Sequence, residues 1–153
     1  MSNQLAALAG EGYAQINLGP LADLTQYERT FPNGMTGTKV FLKALLGTTG
    51  SELSIGVMPP GFILPFTHRH HDNEELYIFL SGAGEIQLDE SIVPFNEGTI
   101  IRVDPPLWRG LRNTGTVPVV YMVVQTKKDS IGAVTGEDSD YGEGPSIWLR
   151  AAV

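Results

Sequence analysis

The segment His68-Arg69-His70-His71, with Glu75 shortly after it, holds the side chains of this chain best suited to chemistry. His68 and His70 are two positions apart, so on an extended strand they share a face. Glu75 follows the turn signal His71-Asp72-Asn73 and starts the next apolar run. A hairpin there would bring its carboxylate beside both imidazoles. Two imidazoles and one carboxylate on adjacent strands form a ligand set with open positions. That set suits a divalent Fe, Mn, Ni or Zn ion and leaves room for water, oxygen or substrate. The bland alternative is an exposed turn whose histidines hold nothing. His71 has the opposite parity and reads as a rim residue. The chain has no cysteine. A metal would therefore rest on His, carboxylate or water.

The elements that must position these residues are short. From about Thr38 to Gln125, apolar runs of strand length alternate with Gly, Pro, Asn and Asp. TKVFLKALL, ELSIGVM, FILPFTH, ELYIFL, EIQL, SIVPF, TIIRV, RGLRN and PVVYMVVQ are the runs, and no segment reads as a long amphipathic helix. This rhythm predicts an all-β sandwich or barrel. If Glu75 points inward, alternation sends Tyr77 and Phe79 inward too, to shape a pocket or simply to fill the core. Arg109, Leu111 and Asn113 share one face of their own run. Arg102 and Arg112 read as solvated or paired, and Glu74 as outward. Leu76–Leu80 and Val117–Val124 are apolar on both faces. An antiparallel strand with one wet face should alternate, so something must cover the outer wall, either a second layer or a partner subunit. A homodimer is the expectation.

The expected organisation is an N-terminal arm over 1–36, one barrel over 37–127 and a C-terminal tail over 128–153. Within the tail, 136–144 is acidic and Gly-rich, which predicts mobility, and 146–150 could add a strand. With 153 residues, 18 Gly and 10 Pro, the composition fits one turn-rich globular domain. The net charge of −7, without clustered Lys and Arg, argues against a nucleic-acid partner. No apolar run is long enough to span a bilayer. The start, MSNQLAALAG, lacks the positive residues of a secretory signal, and the chain reads as cytoplasmic.

Residues 60–85, PGFILPFTHRHHDNEELYIFLSGAGE, resemble the first motif of the cupin superfamily. Gly61 precedes the pair with a gap one residue longer than usual. Four residues separate His70 from Glu75, and six separate Glu75 from Gly82. Downstream, PFNEGTIIRVDPPLWRGLRNTG is similar to the second motif: Gly98 opens it, Pro105 and Pro106 mark its turn, and Asn113 closes it. The resemblance implies an antiparallel double-stranded β-helix, or jelly-roll barrel, commonly dimeric, with a metal at His68, His70 and Glu75.

One position departs from the pattern. The second motif usually offers a further histidine ligand four residues before its asparagine, and here that residue is Arg109. A guanidinium stays protonated and has no lone pair to give a metal. Beside a bound cation it would swing to solvent, pair with Glu75, or hold an anion against the metal. The third outcome makes Arg109, with Tyr77 and Phe79, a ligand-binding residue for a small carboxylate or other oxyanion. Three functions fit. One is a metal-dependent dioxygenase, isomerase or decarboxylase. Another is a non-catalytic binding module for a small molecule. The last is a metal-free isomerase or epimerase with a histidine base.

Overall fold

The computed structural model describes residues 5–32, 34–132, 138–140, 142 and 146. The tail expected to be mobile at 136–144 and the strand expected at 146–150 lie largely outside those residues. Eleven strands are described: β1 (Leu8–Gly10), β2 (Tyr13–Gln15), β3 (Glu28–Thr30), β4 (Thr36–Phe41), β5 (Ser51–Met58), β6 (Asn73–Ser81), β7 (Ala83–Leu88), β8 (Ser91–Asn96), β9 (Ile100–Val103), β10 (Arg109–Asn113) and β11 (Val119–Lys127). All pairings are antiparallel. A six-stranded sheet runs β3-β4-β5-β11-β6-β9, and a three-stranded sheet runs β10-β7-β8. β1 and β2 form a separate hairpin. The two larger sheets face each other as a jelly-roll barrel, the all-β architecture that the strand rhythm predicts.

The core fills the space between the sheets. Tyr77, Phe79, Tyr121 and Val123 come from the large sheet, and Ile86, Phe95 and Leu111 from the small one. Phe79 is 1% exposed and stacks on Phe95 across the barrel. The turn from β6 to β7 depends on Gly82, whose φ is +81°. A Cβ there would also sit 2.7 Å from the Pro118 carbonyl oxygen, so no larger residue fits without displacing backbone.

The outer wall has its cover within this same chain. Ile16, Leu18, Leu24 and Tyr27 from the N-terminal region pack with Val40, Ile55, Leu80 and Val120 in a second apolar cluster. Leu24, on a 3-10 helix spanning Leu21–Tyr27, is completely buried there. β3 adds to the edge of the main sheet through β4. The N-terminal arm is thus packed on the barrel as a layer of the fold. It covers the outer face of β6 and β11 at Leu80 and Val120. Exposed apolar residues persist elsewhere, among them Ile63, Phe66, Ile92 and Trp108.

Two expected strands differ. TKVFLKALL stops as a strand at Phe41 and continues as one helical turn, Lys43–Leu46, closed by Gly47 in the left-handed conformation. FILPFTH is extended but is no regular strand: it meets β10 only in isolated bridges, Ile63 with Arg112 and His68 with Arg109. Pro65 interrupts it, because proline has no N–H to give a ladder. Among the described residues, no helix is long and apolar enough to cross a membrane.

Candidate metal centre

Each site residue is set by strand register. Glu75, Tyr77 and Phe79 alternate along β6, and all are buried. The antiparallel partners of Glu75 are Gln125 on β11 and Val103 on β9. His68 and Arg109 face each other across their bridge, with His68 N–H donating to the Arg109 carbonyl at 3.0 Å and Arg109 N–H donating back at 2.8 Å. Directly opposed residues in an antiparallel pair project to the same face, so this bridge delivers the Arg109 side chain to the histidines.

His68, His70 and Glu75 each offer one ligand atom, and these atoms lie within 4.8 Å of one another. The two imidazoles meet edge to face, with centroids 5.5 Å apart. Their side chains are 37% and 27% exposed, whereas that of Glu75 is 7% exposed. The rings therefore form the open side of the cluster and the carboxylate its floor. Glu75 divides its two oxygens. Oε2 accepts the Tyr77 hydroxyl at 2.8 Å and lies 3.1 Å from Arg109 Nε. Oε1 lies 3.1 Å from His70 Nε2. His71 is exposed, as its parity predicts.

Burial lowers the pKa of His68 below the ordinary imidazole value, and the cations Arg109 and Lys39 add to that effect against the pull of Glu75. A neutral imidazole is the form that can give a lone pair to a metal. Its Nδ1 is buried without a hydrogen-bond partner among the described residues. Two convergent imidazoles, an ionisable oxygen and an orphaned ring nitrogen fit a borderline divalent cation.

Arg109 does not reach solvent. Its side chain is 0% exposed, and Nη1 donates to the Leu107 carbonyl at 3.0 Å. The Nε–Glu75 contact is an ion pair whose N–H is not aimed at the oxygen, and Nη2 has no partner among the described residues. Of the three arrangements for this arginine, the structure shows the pairing with Glu75. Asn113, which closes the motif, is structural. Its Nδ2 donates to Met58 O at 3.0 Å and Val117 O at 2.9 Å, and its Oδ1 accepts Gly115 N–H at 2.8 Å. Phe79 sits in the packed core, and Tyr77 touches the site through its hydroxyl. Arg102 pairs with Glu74 and Asp104, and Arg112 with Glu85, as paired surface charges.

Two residues near the site were not singled out from sequence. Gln125 Nε2 lies 3.0 Å from His70 Nδ1 and 3.3 Å from its Nε2. Lys39 projects from β4 onto the same inner wall. A polar residue ending the apolar run of β11, and a lysine inside a strand, were the available signals.

A double-stranded β-helix with a two-His, one-Glu cluster on its inner wall is a single-barrel protein with a candidate metal site. Comparison with known proteins identifies it further. A cupin-domain family model matches residues 54–125. A cupin protein from Bacteroides fragilis is 32% identical, over 69% of this chain and 90% of that one, with a TM-score of 0.65. The chain belongs to the cupin family. A Cupin 2 conserved barrel domain protein from Salinispora arenicola shares the fold at 20% identity, over 66% of this chain and 82% of that one, TM-score 0.56. So does a predicted oxalate decarboxylase from Thermotoga maritima, at 18% identity over 71% and 96%, TM-score 0.57. No curated protein matches this chain.

Proposed function

We propose that His68, His70 and Glu75 hold a divalent Fe, Mn, Ni or Zn ion, and that the protein binds or transforms a small carboxylate or other oxygenated metabolite beside it. The observation that carries this reading is the convergence of three ligand atoms within 4.8 Å on the inner wall of the barrel. When bound, the ion supplies Lewis acidity and open coordination positions. The chain's own residues do the rest. Tyr77 and Arg109 fix one oxygen of Glu75 and so orient the other toward the histidines. Gln125 sets the tautomer of His70 through whichever ring nitrogen it engages. The unpartnered Nη2 of Arg109 is a donor for an anionic ligand oxygen.

The Arg109–Glu75 pair favours one further reading: a metal-free pocket in which His68, neutral at physiological pH, serves as a base. Elemental analysis of protein purified without added metal, with Zn(II) titration calorimetry, tests the proposal. Wild type should take up about one ion per chain, His70→Ala and Glu75→Gln should lose it, and Gln125→Leu should weaken it by roughly 10–100-fold. Equal metal content in wild type and His70→Ala would refute the metal site and favour the base reading.

A further inference from the structure

Among the described residues, Lys39 is the cation on the inner wall to which the motifs assign nothing. Its position follows from register. Lys39 on β4 pairs with Gly56 on β5, Gly56 pairs with Tyr121 on β11, and Tyr121 pairs with Phe79 on β6. Paired residues share a face, so Lys39 lies on the row that ends at the buried Phe79. A Cβ there would meet the Tyr121 ring at 2.8 Å, so that ring lies over the glycine and reaches toward Lys39. The ammonium stands 6.0 Å from the Tyr121 ring centroid and 5.4 Å from that of Phe41.

This ammonium is partly buried and has no carboxylate within ion-pair distance among the described residues. The acids whose charge reaches it are Glu75 and Glu52, and both are committed elsewhere. Glu52 Oε1 accepts the backbone N–H of Leu42 at 3.2 Å and of Lys43 at 3.0 Å. Glu75 is held by Tyr77, Arg109 and His70. Burial pushes the Lys39 amine below the ordinary lysine range, the signature of a cation that has lost water without gaining an anion. Aromatic faces compensate only in part. The charge of Lys39 also reaches His68 of the candidate site.

Charge balance points the same way. Arg109 already neutralises Glu75. A divalent ion at the cluster would bring two uncompensated positive units, and Lys39 adds a third that only Glu52, on the same face, offsets. We propose that Lys39 binds the far carboxylate of a small dicarboxylate whose near carboxylate lies at the His68–His70–Glu75 centre. Arg109 is buried and tied to Glu75 and Leu107, so it can reach only the near end. Lys39, on a flexible stem at the edge of the wall, sets the length and charge of the ligand. This assignment rests on the metal reading above and adds the class of ligand to it.

The test uses Zn(II)-loaded wild type and Lys39→Met, titrated by calorimetry with malonate and succinate, and with acetate and butyrate as single-charge controls. Wild type should prefer at least one dicarboxylate over both controls by about tenfold or more, as expected for a second charge-assisted contact. Lys39→Met should lose that preference, retain Zn(II) affinity within about twofold, and melt at the same or a higher temperature, because it removes an unpaired, partly desolvated charge. Lys39→Arg should keep part of the preference. No dicarboxylate preference in wild type, or an undiminished one in Lys39→Met, overturns the assignment. Failure of wild type to take up Zn(II) overturns the metal reading instead. Lys39 is then decided by whether succinate binding to the metal-free protein is lost in Lys39→Met.

Discussion

Arg109 Nε lies 3.1 Å from Glu75 Oε2, and the pair is almost sealed from water, with side-chain exposures of 0% and 7%. A carboxylate that is a candidate metal ligand is thus already neutralised by a residue standing where a further ligand would be expected. Removing one member of a buried ion pair costs far more than the pair is worth, because the other charge is left uncompensated. Arg109→Leu should therefore lower the stability of the metal-free protein by about 3–5 kcal/mol. Zn(II) would supply the missing positive charge, so the rise in melting temperature on adding it should be larger in Arg109→Leu than in wild type. Melting curves with and without Zn(II) check both halves. An equal rise in the two proteins would mean that Arg109 and the ion do not act on the same carboxylate.

Alkaline titration offers a separate check on the inner wall. Burial, with a smaller contribution from Glu75, pushes the Tyr121 phenol up to about 12. A phenol whose folded pKa is raised binds more protons when folded than when unfolded between those two values. Its contribution is complete below the unfolded value near 10 and is lost as pH rises toward 12. At pH 11 about 1.4 kcal/mol should have gone. Urea midpoints at pH 9 and 11 should fall further apart in wild type than in Tyr121→Phe. A parallel loss in both proteins would show that Tyr121 is not the desolvated phenol.

The N-terminal layer is equally open to test. Leu24 is completely buried against Val40, Ile55 and Val120, although it lies far outside the cupin motifs. Leu24→Ala should cost about 2–5 kcal/mol, the range for emptying a core leucine site. A chemical-denaturation curve reads this directly. A loss under about 1 kcal/mol, the level of a surface substitution, would mean that residues 21–27 dock only loosely.

Spacing alone brought most of the site into view. His68, His70 and Glu75 were legible because metal-ligand chemistry admits few residue types, and because a strand, a turn and a strand bring such positions together. The burial of Tyr77 followed from alternation with Glu75, and that of Asn113 from alternation with Arg109, whose inward place the motif resemblance implied. Period-two reasoning failed at FILPFTH, where Pro65 breaks the ladder, yet the histidines still converge because the His68–Arg109 bridge replaces the missing strand. The elements within 1–36 were not legible because the few apolar residues there, Ile16, Leu18, Leu24 and Tyr27, show no single period. They are gathered by a loop, a 3-10 helix and β3, not by one regular element.

By itself, the sequence determined the class of fold, the candidate metal triad and the absence of a histidine at position 109. These are matters of residue type and local spacing, which the chain carries wherever it folds. Only the tertiary structure decided that Arg109 turns onto Glu75, that Gln125 stands beside His70, and that Lys39 shares their wall. The first depends on the His68–Arg109 bridge, and the others on register between strands distant in sequence: β6 against β11, β11 against β5, and β5 against β4. Register is fixed by how the two apolar faces are buried together, and no local pattern specifies which distant residue will stand opposite.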